Sequence, residues 1–219
     1  MTAGRKVVGT TKDWGTPKKY VEAVRTCFRG KIGLDPCSNR YSIVSAEVEY
    51  LLPDNDGLRE SWAFPTIYVN PPYGNDQEHG RTIKDWLRRC EEAHRVHNAE
   101  VIALVPVATN TGHWKRYIYG KATAICFLYD TRLRFLENGS DSGKGAPMSC
   151  AMIYWGKELA RFSEIFMPFG AVVSLENLKG VSIGHAHDKD KDKDLAACMW
   201  VPSGLTLARV PEAPKATTA

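Results

Sequence analysis

The sequence predicts a layered α/β domain on a mainly parallel sheet, and three features predict it. Residues 100–107 (EVIALVPV) and 123–128 (TAICFL) are continuous apolar runs of strand length, the pattern of strands covered on both faces. Residues 82–97 (TIKDWLRRCEEAHRVH) put Ile83, Trp86, Leu87, Cys90 and Ala93 on one face of a helix. Helical and extended stretches alternate along the chain, the order in which strand–helix–strand crossovers build such a sheet.

Each element has its own signal. Thr16-Pro17 opens a helix, with Thr16 as N-cap and Pro17 in the first turn, where its missing N–H costs nothing. Tyr20, Val21, Val24 and Phe28 then recur at helical spacing until Gly30 stops the run. Residues 31–36 (KIGLDP) read as a short buried strand ending in a turn, and 67–69 (IYV) as a second strand that halts at Asn70-Pro71-Pro72-Tyr73. The helix over 82–97 and the strand over 100–107 follow, then a helical stretch around 113–119 and the strand over 123–128. Residues 137–147 (ENGSDSGKGAP) form a polar, glycine-rich loop, and 149–154 (SCAMIY) a further strand. Residues 1–12 are expected to be a flexible leader and 13–170 the folded domain. An extension over 171–219 carries the charge-alternating run 188–194 (DKDKDKD) and a frayed tail from 202 onward.

Composition sets the class. With 43% apolar and 25% charged residues the chain buries a core without staples. Its six cysteines show neither Cys-x-x-Cys nor zinc-finger spacing, so they are expected to be reduced thiols of a cytoplasmic protein. His185 and His187 are two spaced histidines in a polar segment, and no metal is assigned to them. The first residues lack the apolar core of a signal peptide, and no apolar run reaches membrane-spanning length. A net charge of +4 permits a polyanionic partner without demanding one.

The chemistry lies in Asn70-Pro71-Pro72-Tyr73, directly behind a buried strand. In an open α/β sheet, ligands sit beyond the carboxyl ends of strands. Each proline fixes its own φ, and the second biases the first toward an extended shape, so the segment is a stiff ledge. Such a ledge presents the Asn70 side-chain oxygen and the Pro71 carbonyl as two fixed acceptors, with the Tyr73 ring beside them. An exocyclic amine on a heteroaromatic ring is a poor nucleophile because its lone pair is delocalised. Two acceptors on its hydrogens favour pyramidalisation and stabilise the positive charge that develops on nitrogen as it attacks a methyl sulfonium. The plainer alternative is a proline-stiffened turn in which Tyr73 only packs.

Asn-Pro-Pro-Tyr is the signature of the amino-group DNA methyltransferases, and the wider arrangement resembles the phage-type, Dam-like DNA N6-adenine methyltransferases. The likeness runs through Asp13-Trp14-Gly15-Thr16-Pro17, Leu34-Asp35-Pro36-Cys37-Ser38-Asn39, Asp56-Gly57-Leu58 with Trp62, and Asn70-Pro71-Pro72-Tyr73-Gly74. It continues through Trp86, Leu104-Val105-Pro106 and Arg132-Leu133-Arg134-Phe135. It implies a class I methyltransferase, a Rossmann-like three-layer sandwich, with S-adenosylmethionine as methyl donor and DNA as substrate. The base must be extruded, because N6 lies within the stacked duplex. The same likeness suggests a viral setting and protection of DNA within restriction-modification.

Carried over by position, Asn70, Pro71, Pro72 and Tyr73 are the catalytic candidates, and Trp14, Thr16, Pro17, Asp35 and Pro36 the cofactor-binding ones. Asp54 and Asp56 are either further cofactor contacts or parts of a simple turn over 53–57. Arg81, Lys84, Arg132, Arg134 and Lys144 are candidate DNA contacts, with a solvated basic face as the alternative for Arg81 and Lys84. The chain departs from many DNA methyltransferases in having Asp35-Pro36-Cys37-Ser38-Asn39-Arg40 where a Phe-x-Gly-x-Gly loop often stands. Three other readings compete with adenine methylation. N4-cytosine methylation more often uses Ser-Pro-Pro-Tyr. Protein glutamine methylation usually goes with a glycine-rich cofactor loop and an added helical domain. A catalytically silent DNA-binding module is the third.

Overall fold

The computed structural model describes residues 14–74, 80–130, 133–141 and 148–179. The leader, Arg132, Lys144, His185, His187, the charged run and the tail from 202 lie outside the described residues, as do parts of loops 74–80 and 137–147.

Chain order runs β1 (Trp14–Gly15), α1 (Lys18–Cys27), β2 (Leu34–Asp35), β3 (Val48–Glu49), β4 (Thr66–Val69), α2 (Ile83–His97) and β5 (Glu100–Pro106). It continues with α3 (Gly112–Tyr117), β6 (Ala124–Leu128), β7 (Leu136–Glu137), β8 (Ser140–Asp141), β9 (Cys150–Trp155), α4 (Leu159–Phe166), β10 (Gly170–Ser174) and a 3-10 turn at Glu176–Leu178. The main sheet has seven strands in the order β10-β6-β9-β5-β4-β2-β3. β3, β2, β4 and β5 pair in parallel. β9 then runs antiparallel to both β5 and β6, so β6 again points the way of β5, while β10 opposes β6. Five of the seven strands therefore share one direction, so the sheet is mainly parallel as expected, with β9 and β10 reversed.

Period-2 alternation divides the core between the two faces of the sheet. Tyr68, Ile102, Leu104, Cys126, Met152 and Tyr154 point to one side, where α1 and α4 pack with Val21, Val24, Phe162 and Phe166. Ile67, Val69, Val101, Ala103, Ile153 and Trp155 point to the other, against Trp86, Leu87, Cys90 and Trp114 of α2 and α3. Helices on both faces explain why the strands read as unbroken apolar runs.

Helix α2 begins as its sequence directs: the Asp85 carboxylate accepts both the Thr82 N–H at 3.0 Å and the Thr82 hydroxyl at 3.2 Å. It ends at Asn98, whose left-handed φ of 55° closes the last turn. Helix α1 differs from expectation at its start. Pro17, not Thr16, stands at the N-cap and its carbonyl receives the Tyr20 and Val21 N–H groups. The Thr16 hydroxyl is instead hydrogen-bonded to the Tyr68 hydroxyl at 2.6 Å, because a buried phenol on β4 needs a partner more than an exposed helix end does.

The expected strand over 31–36 shrinks to Leu34–Asp35, and β3, α4 and β10 join the fold without a sequence signal having marked them. β10 pairs with β6 from Gly170 to Ser174, so the sheet continues past residue 170. The polar stretch from 137 contains the β7–β8 hairpin, turned by Asn138 and Gly139 at φ 53° and 77°, the left-handed pair of a two-residue turn. β7 also pairs with β1, which ties the segment before α1 to this hairpin.

Candidate active site

The ledge follows β4 directly, at the edge of the sheet where β2, β3, β4 and β5 end together. Pro71 is buried, Pro72 exposed, and Asn70 and Tyr73 partly buried. The Asn70 side chain is held at both ends. Its amide Nδ2–H donates to the Trp14 carbonyl at 2.7 Å, and its Oδ1 lies 3.2 Å from the Tyr73 hydroxyl. That hydroxyl lies equally close, at 3.2 Å, to the carbonyl of Leu104 within β5. An amide oxygen carries two lone pairs, so Asn70 Oδ1 keeps acceptor capacity after serving Tyr73. Burial holds the Tyr73 phenol well above its ordinary pKa, so it remains a donor.

Three aromatic rings wall this corner. Trp14 stacks on Phe135 at 5.3 Å with 17° between planes, and Tyr73 meets Phe135 edge-on at 5.7 Å and Trp14 at 6.5 Å. The β1–β7 pairing brings Trp14 and Phe135 together across a sequence gap of more than a hundred residues.

A crevice beside the ledge is lined by Trp14, Gly15, Thr16, Asp35, Cys37, Ser38 and Asn39, with Ser42, Ile43, Val44 and Asn70. It unites Trp14, Thr16 and Asp35, predicted for the cofactor, with Asn70, predicted for catalysis. Pro17 and Pro36 adjoin it through their neighbours. Asp35 ends β2 and is 4% exposed. It accepts the Cys37 N–H at 3.1 Å, yet burial pushes its carboxyl up to about 7, and the charge of Glu49 adds to the rise. The Cys37 thiol is pushed well up by burial, and the Asn70 backbone N–H acts against that rise.

Glu49, which sequence reading passed over, stands beside Asp35 on the neighbouring strand. It ends β3 in register with Asp35 and accepts the Ser38 hydroxyl at 3.0 Å and the Ala46 N–H at 3.1 Å. A two-residue strand has no legible periodicity, and an isolated glutamate in polar sequence carries no mark. Gly57 was legible as the last residue of the 53–57 turn and as part of the Asp56-Gly57-Leu58 likeness, but not as a packing residue. A Cβ there would lie 1.6 Å from the Pro36 carbonyl oxygen, so the 53–57 turn packs directly under the Asp35-Pro36 bend. Its own carbonyl accepts the buried Trp62 indole N–H at 2.7 Å.

The remaining candidates lie apart from the crevice. Asp54 is exposed in the turn. Asp56 receives the guanidinium of Arg81, receives Arg59 at 3.2 Å, and accepts the Leu58 N–H, so these candidates serve one another. Lys84, in the first turn of α2, adds to burial in keeping the His113 ring below its usual pKa. Arg88 and Arg89 pair with Glu92, and Arg95 with Glu91, along the helix's own surface. Arg134 is exposed between buried Leu133 and Phe135.

Fold and site together define an α/β protein with a crevice at the carboxyl edge of its sheet, where a proline-stiffened Asn ledge stands beside a strand-end carboxylate. The chain belongs to the DNA N-6-adenine-methyltransferase (Dam) family, whose profile matches residues 5–183. It is similar to a DNA N-6-adenine-methyltransferase of Haemophilus phage HP1 (strain HP1c1), at 23% identity over 125 residues. That alignment covers 57% of this chain and 66% of the relative, just under two thirds of the relative's length. Among the described residues no helix is long and apolar enough to cross a membrane.

Proposed function

We propose that the protein transfers a methyl group from S-adenosylmethionine to the exocyclic N6 amine of adenine in DNA, on a class I methyltransferase sheet. The observation that carries this reading is a crevice bordered by both Asn70 and Asp35. Five co-directional strands with helices on both faces support the class, and family membership supports adenine over cytosine or a protein amide.

The residues of the crevice fit the cofactor. Asp35 and Glu49 end adjacent strands as paired carboxylates, suited to hydroxyl and amine groups. Trp14 and Ile43 supply apolar walls, and Thr16, Ser38 and Asn39 short polar groups. When bound, S-adenosylmethionine supplies an electrophilic methyl on a sulfonium sulfur that leaves as a thioether.

The chain itself orients the nucleophile. Asn70 Oδ1 takes one amine hydrogen and the Pro71 carbonyl the other, which localises the lone pair and stabilises the charge that grows on nitrogen as its bond to the methyl carbon forms. The Trp14 carbonyl holds the Asn70 NH2, so the oxygen is turned toward the substrate before it arrives. The surplus proton leaves the methylated nitrogen for solvent. Of the three rings, Trp14 also borders the crevice, which makes it the ring suited to face a planar base. Incubation with labelled S-adenosylmethionine and unmodified duplex DNA, followed by nucleoside separation, tests the proposal. N6-methyladenine is the expected product, and label on no nucleoside, or on cytosine, refutes it.

A further inference from the structure

Tyr129 directly follows β6, which runs in the direction of β4, so its ring stands on the same edge of the sheet as Asn70. With β9 and β5 between them, and Tyr129 three residues further along its strand than Asn70 in register, the two residues are about 17 Å apart at ordinary strand spacing and rise. That separation fits inside the footprint of one duplex, whose major groove alone is about 12 Å wide.

The Tyr129 ring is 68% exposed, yet its backbone is fixed. Its N–H donates to the Phe169 carbonyl at 3.0 Å. The next residue, Asp130, is clamped by Lys19 Nζ at 2.7 Å and the Tyr20 hydroxyl at 2.6 Å. Arg134 acts on the same carboxylate, so two cations face one anion at the residue that follows Tyr129. A rigidly mounted aromatic held in water, one residue from surplus positive charge on the same sheet edge, matches the chemistry of a base stack flanked by phosphates.

We propose that Tyr129 stacks on the duplex next to the extruded adenine, with Lys19 and Arg134 meeting its phosphates. The inference rests on the methyltransferase reading above. Extrusion breaks base pairing and stacking, and a ring that stacks on the flanking bases offsets part of that cost. Tyr129 is therefore a residue that lowers the cost of opening duplex DNA. It has no part in cofactor binding.

The test compares full-length wild type, Tyr129→Ala and Tyr129→Trp on three oligonucleotides of one sequence: a perfect duplex, a duplex mismatched at the target adenine, and the single strand. Tyr129→Ala is expected to lose about tenfold in kcat/KM on the perfect duplex, the size of one base–aromatic stack. Its activity on the mismatched and single-stranded substrates, its cofactor affinity and its melting temperature are expected to stay at wild-type values. Tyr129→Trp keeps duplex activity. No loss on the perfect duplex, or equal loss on all three substrates, overturns the inference. A wild type that methylates adenine in none of them defeats the proposed reaction itself, before any variant is compared.

Discussion

The Asn70 side-chain NH2 donates to the backbone carbonyl of Trp14 at 2.7 Å, so a two-residue strand far away in sequence decides which way the ledge amide faces. The bond distinguishes an amide from a carboxylate at this position. Asn70→Asp would set a carboxylate oxygen against a carbonyl oxygen, two acceptors with no proton between them. A lost hydrogen bond with a charged group is worth about 1.5–3 kcal/mol, so turnover at neutral pH is expected to fall roughly ten- to a hundredfold. Once protonated, the carboxyl of this variant can donate to Trp14, so the ratio of variant to wild-type rate should rise as pH falls. A ratio that does not change with pH rejects the Trp14 carbonyl as the orienting group.

Asn70→Ala removes the acceptor altogether. Loss of one preorganised hydrogen-bonding group at a reacting centre typically costs about a hundred- to a thousandfold in kcat. Asn70 is only partly buried, so the fold should persist, as circular dichroism would report. Full turnover by this variant is incompatible with the mechanism.

Asp35 predicts a pH dependence of stability with a definite sign. Its carboxyl is held up to about 7 in the folded protein, above its unfolded value of about 3.9. Between those values the folded state keeps a proton that the unfolded state has released, so stability declines as pH rises through this window and levels off above it. Asp35→Asn should flatten the curve of melting temperature against pH. Donors from a bound cofactor would favour the ionised carboxyl. Cofactor binding should then strengthen between about pH 6 and about pH 8 and release a proton, measurable by calorimetry in buffers of different ionisation enthalpy. Equal binding across that range would remove Asp35 from the cofactor site.

Gly57→Ala tests the support beneath the crevice. The added methyl would lie 1.6 Å from the Pro36 oxygen, so either the 53–57 turn or the Asp35-Pro36 bend must move. Overpacking against backbone costs about 1–3 kcal/mol. Cofactor affinity should fall more than the melting temperature alone explains, because the displaced bend carries Asp35. A stable variant with wild-type affinity would separate the turn from the site.

Much of this was legible in single residues. The amphipathic helix over 82–97, the apolar strands over 100–106 and 124–128, and the proline ledge behind β4 are local patterns, and each formed where its sequence indicated; the Thr82–Asp85 cap of α2 is local too, but only the structure brought it out. The turn at Asn138-Gly139 was equally local, but the polar residues on either side hid its short strands. The reversal of β9 left no trace in the apolar run over 150–155, because burial on both faces reads the same in either strand direction.

Local sequence thus set the alternation of elements, the stiffness of Asn70-Pro71-Pro72-Tyr73 and the acid at the end of β2, since these depend on dihedral limits and residue chemistry within a few positions. Long-range packing settled that Trp14 orients Asn70, that Phe135 completes the aromatic corner, that Glu49 sits beside Asp35, and that Asp56 and Arg81 engage each other. Those contacts join residues from different elements, and they form only when burial of both faces of the sheet draws the strand ends to one edge.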